Sequence, residues 1–197
     1  MAGAELQQKI LRNGDESMTV NEIIEKMKKG NEAYLNATSN SGDISPAIRK
    51  DTKENGQHPY AVVVTCSDSR VIPEAIFMAG IGELFTIRVA GNVMDDHQLG
   101  SVEYAVDHLG SPLVLVLGHT NCGAVGAALE GGAPSFIKYI TDEISKAVGD
   151  EKDPYKASRL NVEHSVAVIN EKLTEIKGKC EVKGAVYDIE SGKVEWL

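Results

Sequence analysis

The stretch that most restricts the fold is residues 112–118, PLVLVLG, which is apolar or glycine at every position. A strand open to water on one face alternates apolar and polar residues. A strand without alternation is covered on both faces, as in a parallel sheet between layers of helices. Residues 60–65 (YAVVVT) repeat the pattern, and LFTIRV at 84–89 and KGAVYDI at 183–189 supply two further strands. After the turn SGK, the terminal VEWL reads as an antiparallel edge.

Helical signals separate these runs. Thr19 and Glu22 form a capping box for a helix whose apolar stripe is Val20, Ile23, Ile24, Met27 and Tyr34, more apolar surface than a peripheral helix needs. Residues 38–58 are polar and turn-rich, and Pro73 suits the first turn of a short helix. Leu99, Val102, Val106 and Leu109 form a second stripe, closed by Gly110. Further helices are predicted over about 134–148 and from Asp153-Pro154 to Gly178, the latter with Val162, Val166, Ile169, Leu173 and Ile176 on one face. Strands alternating with helices predict an α/β fold: a mostly parallel central sheet of about four strands plus a C-terminal antiparallel edge, flanked by helices. At 197 residues the chain fits a single domain, 1–197, with an N-terminal helical arm over about 1–37.

Composition narrows the partners. A formal net charge of -9 argues against nucleic acid or an anionic membrane surface. No apolar run approaches a membrane span, and the first residues lack the apolar core of a signal peptide, so the cytoplasm is the expected location. Three cysteines in such a chain suit metal binding or catalysis better than a disulfide framework.

Cys66 follows the first strand and His119 the third, and ligand crevices in open parallel sheets lie beyond the carboxyl ends of the strands. Cys122 stands three residues after His119 at the start of a helix, whose end lowers a thiol pKa. The small residues of 123–128 make that helix thin enough to pack closely on the sheet. Taken singly, a cysteine after a strand is a small buried hydrophobe and a histidine a satisfied polar group. Together the three offer the ligand types zinc accepts, and three protein ligands rather than four mark a catalytic site with an open position. Asp68 and Arg70, at alternate positions after Cys66, read either as a surface ion pair or as an orienting device. In an extended backbone that spacing sends both side chains to one side.

CSDSR at 66–70 with GHTNCGAV at 118–125 resembles the β-class carbonic anhydrases, whose marks are Cys-x-Asp-x-Arg and, further along, His-x-x-Cys. The likeness continues through GIGELFTIRVAGNV, GSVEYAVDHLG and VKGAVYDIESGKV. It implies one zinc ion per chain on Cys66, His119 and Cys122, with Asp68 and Arg70 as the catalytic pair. It also implies reversible hydration of carbon dioxide to bicarbonate and a proton by a zinc-bound hydroxide, in a homo-oligomer built from dimers. Two thiolates cancel the formal charge of the ion, so activity growing toward alkaline pH is expected. Ala90, Gly91, Asn92 and Val93 are candidates for the substrate pocket, against the plainer reading of a strand-to-helix loop. The tryptophan that one branch of the family places three residues before the first zinc cysteine is Val63 here, so that branch's bicarbonate effector site is not expected, although Arg88 is present. His97 reads as a solvated loop histidine and Cys180 as structural or incidental. Two alternatives stay open: a hydrolase of a related heterocumulene, carbonyl sulfide or carbon disulfide, and a non-catalytic zinc protein.

Overall fold

Five strands form one sheet in the order β2-β1-β3-β4-β5: β1 (Ala61–Thr65), β2 (Leu84–Arg88), β3 (Leu113–His119), β4 (Glu181–Tyr187) and β5 (Val194–Trp196). The first four run parallel and β5 pairs antiparallel with β4. The computed structural model describes residues 18–197; the predicted N-terminal arm therefore lies partly, over 1–17, outside the described residues.

Every residue of β1 and β3 is buried, and the two-residue period of the strands assigns them to two cores. Val63, Leu113, Leu115 and Leu117 face Ile23, Met27, Ile76 and Phe77 on one side. Val62, Val64, Val114 and Val116 face Leu99, Val102, Val106, Val162 and Ile169 on the other. The sheet is thus sandwiched, which is why neither strand alternates.

The helices are α1 (Val20–Tyr34), α2 (Pro46–Asn55), α3 (Pro73–Ile76), α4 (Asp96–Asp107), α5 (Gly123–Leu129), α6 (Ile137–Val148) and α7 (Pro154–Lys172). The capping box of α1 is formed, and its stripe is largely packed within the chain: Ile23 and Met27 are buried, with Val20, Ile24 and Tyr34 packed around them. Val20, Ile24 and Tyr34 keep part of their surface exposed, as does Leu35 at the end of the helix. Gly30 lets α1 approach the backbone of Phe77 so closely that a Cβ there would lie 2.1 Å from the Phe77 carbonyl oxygen.

Three helices differ from expectation. The segment 38–58 contains α2, capped by Ser45 with Pro46 in its first turn, which buries no residue and so carries no apolar stripe. The last long helix stops at Lys172, because Leu173 leaves helical geometry; Ile176 continues the stripe from a short 3-10 turn, Thr174–Ile176. Helix α5 packs chiefly on α6, α7 and the 3-10 turn Ala90–Asn92 rather than on the sheet. That packing makes a third core, of Val93, Val125, Ala128, Ile144, Val148 and Ala157, against Cys66 and Cys122. No helix among the described residues is long and apolar enough to cross a membrane.

Candidate metal centre

β1 and β3 are hydrogen-bonded neighbours with Thr65 opposite Leu117, so the residues that follow, Cys66 and His119, emerge side by side at the same edge. His119 is the last residue of β3, and Cys122 is the N-cap of α5. One ligand atom from each of Cys66, His119 and Cys122 lies within 4.8 Å of the others. A tetrahedral zinc ion with bonds of about 2.0–2.3 Å needs its ligand atoms at roughly that proximity. The cluster is buried: Cys66, His119 and Cys122 are 5%, 1% and 7% exposed.

The histidine is set in one orientation. Its Nδ1 lies 2.8 Å from the Thr120 carbonyl oxygen, which can only accept, so Nδ1 carries the proton. Nε2 keeps its lone pair, and it is buried with no hydrogen-bond partner. Thr120 is anchored in turn: its amide donates to the Tyr187 carbonyl, its hydroxyl donates to Asp188 Oδ2 at 3.2 Å, and the same hydroxyl accepts from the amide of Ile189. The end of β4 therefore holds the imidazole plane through one intermediary.

The two sulfurs are electrostatically linked. Cys66 is held far below the ordinary thiol range, first by the hydrogen bond from Cys122 and then by the amides of Gly91 and Asp68, against the opposing effect of burial. Cys122 is pushed up because it donates to Cys66 and is buried. The Gly91 amide donates to Cys66 Sγ at 3.2 Å, from a backbone with φ 67°. A side chain at Gly91 would meet Ile144 Cδ1 at 2.7 Å and Ala124 Cβ at 3.1 Å, so glycine is required both for conformation and for space.

Asp68 and Arg70 meet in a fork: Arg70 Nε donates to Oδ1 at 2.9 Å and Nη2 to Oδ2 at 2.7 Å, with the Arg70 amide on Oδ1 as well. The backbone here is not extended as predicted. A turn closed by the Val71 amide on the Asp68 carbonyl brings the two side chains together. Asp68 is the less accessible partner, 17% exposed against 50% for Arg70. Arg70's side chain, foremost among several groups, keeps the Asp68 carboxyl well below the usual carboxylate range. Arg70 Nη2 also donates to the Asn121 carbonyl at 3.2 Å, joining the loop after β1 to the loop after β3.

Arg88 has a local task that its sequence context left open: its guanidinium donates to the carbonyls of Cys66 and Asp68, at 3.3 and 2.7 Å, from the adjacent strand β2. Ala90, Gly91 and Asn92 form the 3-10 turn beside Cys66, followed by Val93; Gly91 and Asn92 are buried, as is Val93. The structure thus brings all nine sequence-predicted residues to the carboxyl ends of β1, β2 and β3. It does not bring His97 there: this side chain stands almost fully exposed in the first turn of α4, near Asp95, on helix rather than loop. Cys180 is half-buried and packs at the edge of the second core.

Sequence reasoning missed the groups that hold the site from behind, namely Thr120, Asp188, Asn161 and Ser165. Asn161 Nδ2 donates to the Gly91 carbonyl at 2.8 Å and Ser165 Oγ to the Asn92 carbonyl at 3.1 Å. A signal for the last two was present: Ser158, Asn161 and Ser165 recur at helical spacing on the same buried face of α7 as Val162 and Ile169.

Comparison with known proteins agrees with this architecture. The carbonic anhydrase family model matches residues 61–194. A carbonic anhydrase of Mycolicibacterium smegmatis is 38% identical over 164 residues, covering 75% of this chain and 79% of its own length. Carbonic anhydrase 2 of Mycobacterium tuberculosis is 33% identical over 182 residues, 85% of this chain and 87% of that protein. Among solved structures, a tetrameric β-carbonic anhydrase of the filamentous ascomycete Sordaria macrospora is similar at a TM-score of 0.66 and 25% identity, over 90% of this chain and 94% of that one. A match that takes in both the Cys66 motif and the His119–Cys122 motif, at this level of identity, makes the chain a member of the β-class carbonic anhydrase family.

Proposed function

We propose that this chain is a zinc lyase that reversibly hydrates carbon dioxide to bicarbonate and a proton, with one zinc ion held by Cys66, His119 and Cys122. The observation that carries the reading is the unpartnered Nε2 of His119, buried together with the Cys66 and Cys122 sulfurs, one ligand atom of each of the three lying within 4.8 Å of the others. An orphaned lone pair beside a thiolate is a donor set suited to a borderline-soft cation. Zinc in this setting would supply a Lewis acid that lowers the pKa of a water molecule, so that hydroxide is available as the nucleophile toward carbon dioxide.

The chain's own residues would do the rest. Arg70 occupies Asp68 with two parallel bonds, which keeps the carboxylate aimed and anionic. Oδ2 has a single protein partner and so retains a lone pair to accept a hydrogen bond from the attacking water. Arg88 fixes the carbonyls on either side of Ser67, so the loop that carries both Cys66 and Asp68 has little freedom. Ala90, Gly91, Asn92 and Val93 would wall the substrate side. No observation favours the non-catalytic alternative, for which the Asp68–Arg70 fork has no use. By extension from its tetrameric relative, the assembly would be a homo-oligomer built from dimers.

Stopped-flow hydration of carbon dioxide, with zinc quantified on the same sample, tests the proposal. Turnover in proportion to bound zinc is expected. A zinc-loaded protein with no hydration activity would sink it, and activity toward carbonyl sulfide or carbon disulfide in its place would favour the heterocumulene alternative.

A further inference from the structure

We infer that Asn161, on α7, is a positioning residue for the Cys66 sulfur, acting through the backbone of Gly91. The inference rests on the proposed metal role of Cys66, and it concerns how that sulfur is held rather than whether it binds.

The amide of Gly91 donates to Cys66 Sγ at 3.2 Å. An N–H···S bond is directional only if its peptide is held, and the turn that carries it has little of its own to hold it. Gly91 and Asn92 both adopt positive φ, 67° and 46°, and an amide-to-carbonyl bond joins Asn92 to Val89. The restraint comes from outside. Asn161 Nδ2 grips the Gly91 carbonyl at 2.8 Å, and Ser165 Oγ, one helical turn on, grips the Asn92 carbonyl at 3.1 Å. Asn161 and Ser165 are each 2% exposed. Ser165 Oγ also lies 3.0 Å from the Asn161 carbonyl, so its contacts are shared with its own helix, whereas the Asn161 side chain donates across to the turn.

A buried amide side chain on a helix face otherwise filled by Val162 and Ile169 is costly unless it is satisfied. Here the bond that satisfies it runs to the residue whose amide faces the sulfur. Ser158, on the same face and equally buried, provides the contrast: its hydroxyl donates to the Pro154 carbonyl in its own helix rather than to the turn. Groups behind metal ligands commonly set donor strength and affinity, with losses of about 10–100-fold on removal. A hydrogen bond to a thiolate lowers the energy of its lone pairs, so weakening that bond should move thiolate-to-metal charge transfer to lower energy.

The test uses full-length protein loaded with cobalt(II) and three variants: Asn161→Leu, nearly isosteric but without donors; Ser165→Ala; and Ser158→Ala. In Asn161→Leu the thiolate–cobalt charge-transfer band should shift to lower energy, and metal affinity by chelator competition should weaken about tenfold. Ser165→Ala should show a smaller shift of the same sign, and Ser158→Ala none. A folded Asn161→Leu protein with an unshifted band overturns the inference, as does an equal shift in Ser158→Ala, which would mean that any defect in this face suffices. Should Asn161→Leu fail to fold, Ser165→Ala decides, and an unshifted band there overturns the inference. Absence of a thiolate–cobalt band in the wild-type protein would instead remove the metal assignment itself.

Discussion

Cys122→Ser tests the donor set most directly, because a hydroxyl is a poor substitute for a thiolate toward zinc at neutral pH. Metal analysis after dialysis should find most of the zinc gone from that variant; full occupancy would exclude Cys122 as a ligand. Arg70→Ala should keep its zinc, since Arg70 touches no donor atom, yet lose hydration activity. Hydrogen bonds to charged groups contribute about 1.5–3 kcal/mol, so a drop in kcat of about tenfold or more is expected. Wild-type turnover in Arg70→Ala would reduce the fork to a surface ion pair.

The fork also has a pH signature at the level of the single carboxyl. Its folded pKa is depressed, so the stability it contributes is fully present above the unfolded value of about 4 and is lost only as pH falls through the lower folded value. Asp68 therefore stays ionised from mildly acid to alkaline pH, and a rise of activity between neutral and alkaline pH must come from another group. Carboxyl NMR titration should find Asp68 well below the ordinary range in the wild type and moved back toward it in Arg70→Ala. At this scale Cys66, His119 and Cys122 were legible because each follows an apolar run or opens a helix. Thr120 and Arg88 were not, because the one offers its own carbonyl to His119 and the other meets carbonyls, and neither contact leaves a pattern in the chain; Asn161 left only its helical spacing on the buried face of α7.

Among the elements, legibility followed burial. β1 and β3 announced themselves by unbroken apolar runs, and α1 by its cap and stripe. Helix α2 left only Ser45 and Pro46 as signals, because a helix that buries nothing has no period to read. The turn at Asp68 escaped the sequence because alternate spacing suits a strand and a turn alike. Close approach between elements was equally invisible, and it reverses an ordinary rule. Glycine inside a helix costs roughly 0.5–1 kcal/mol relative to alanine. Gly100 lies in α4 with open space where a Cβ would point, so Gly100→Ala should stabilise by about that amount. Gly30 lies in α1 against the Phe77 carbonyl, which is backbone and cannot step aside. Gly30→Ala should destabilise by about 1–3 kcal/mol as the helix is forced away from the Phe77 backbone. Urea melts of the two variants should move in opposite directions, and a stabilised Gly30→Ala protein would contradict the packing described for α1.

For the molecule as a whole, the layered sheet explains why the site has its edge-on position. Parallel strands deliver all their carboxyl ends to one rim, so residues far apart in sequence meet there without a dedicated scaffold. The same logic leaves assembly to the outer surface. The stripe of α1 is largely packed on the chain's own core, with Val20, Ile24 and Tyr34 only partly buried. The described surface does carry large exposed apolar side chains, among them Phe136 and Tyr139 at 82% and 75% exposure, paired with ring centroids 6.2 Å apart. Chains of net charge -9 repel one another, so a stable homo-oligomer needs apolar contact to offset that repulsion. The association should then survive, and even strengthen, as salt screens the like charges. Sedimentation at micromolar concentration is expected to give a multiple of two chains in both low and high salt. A single-chain mass under those conditions would contradict a dimer-based assembly, and dissociation by added salt would show that ion pairs rather than apolar surface hold it.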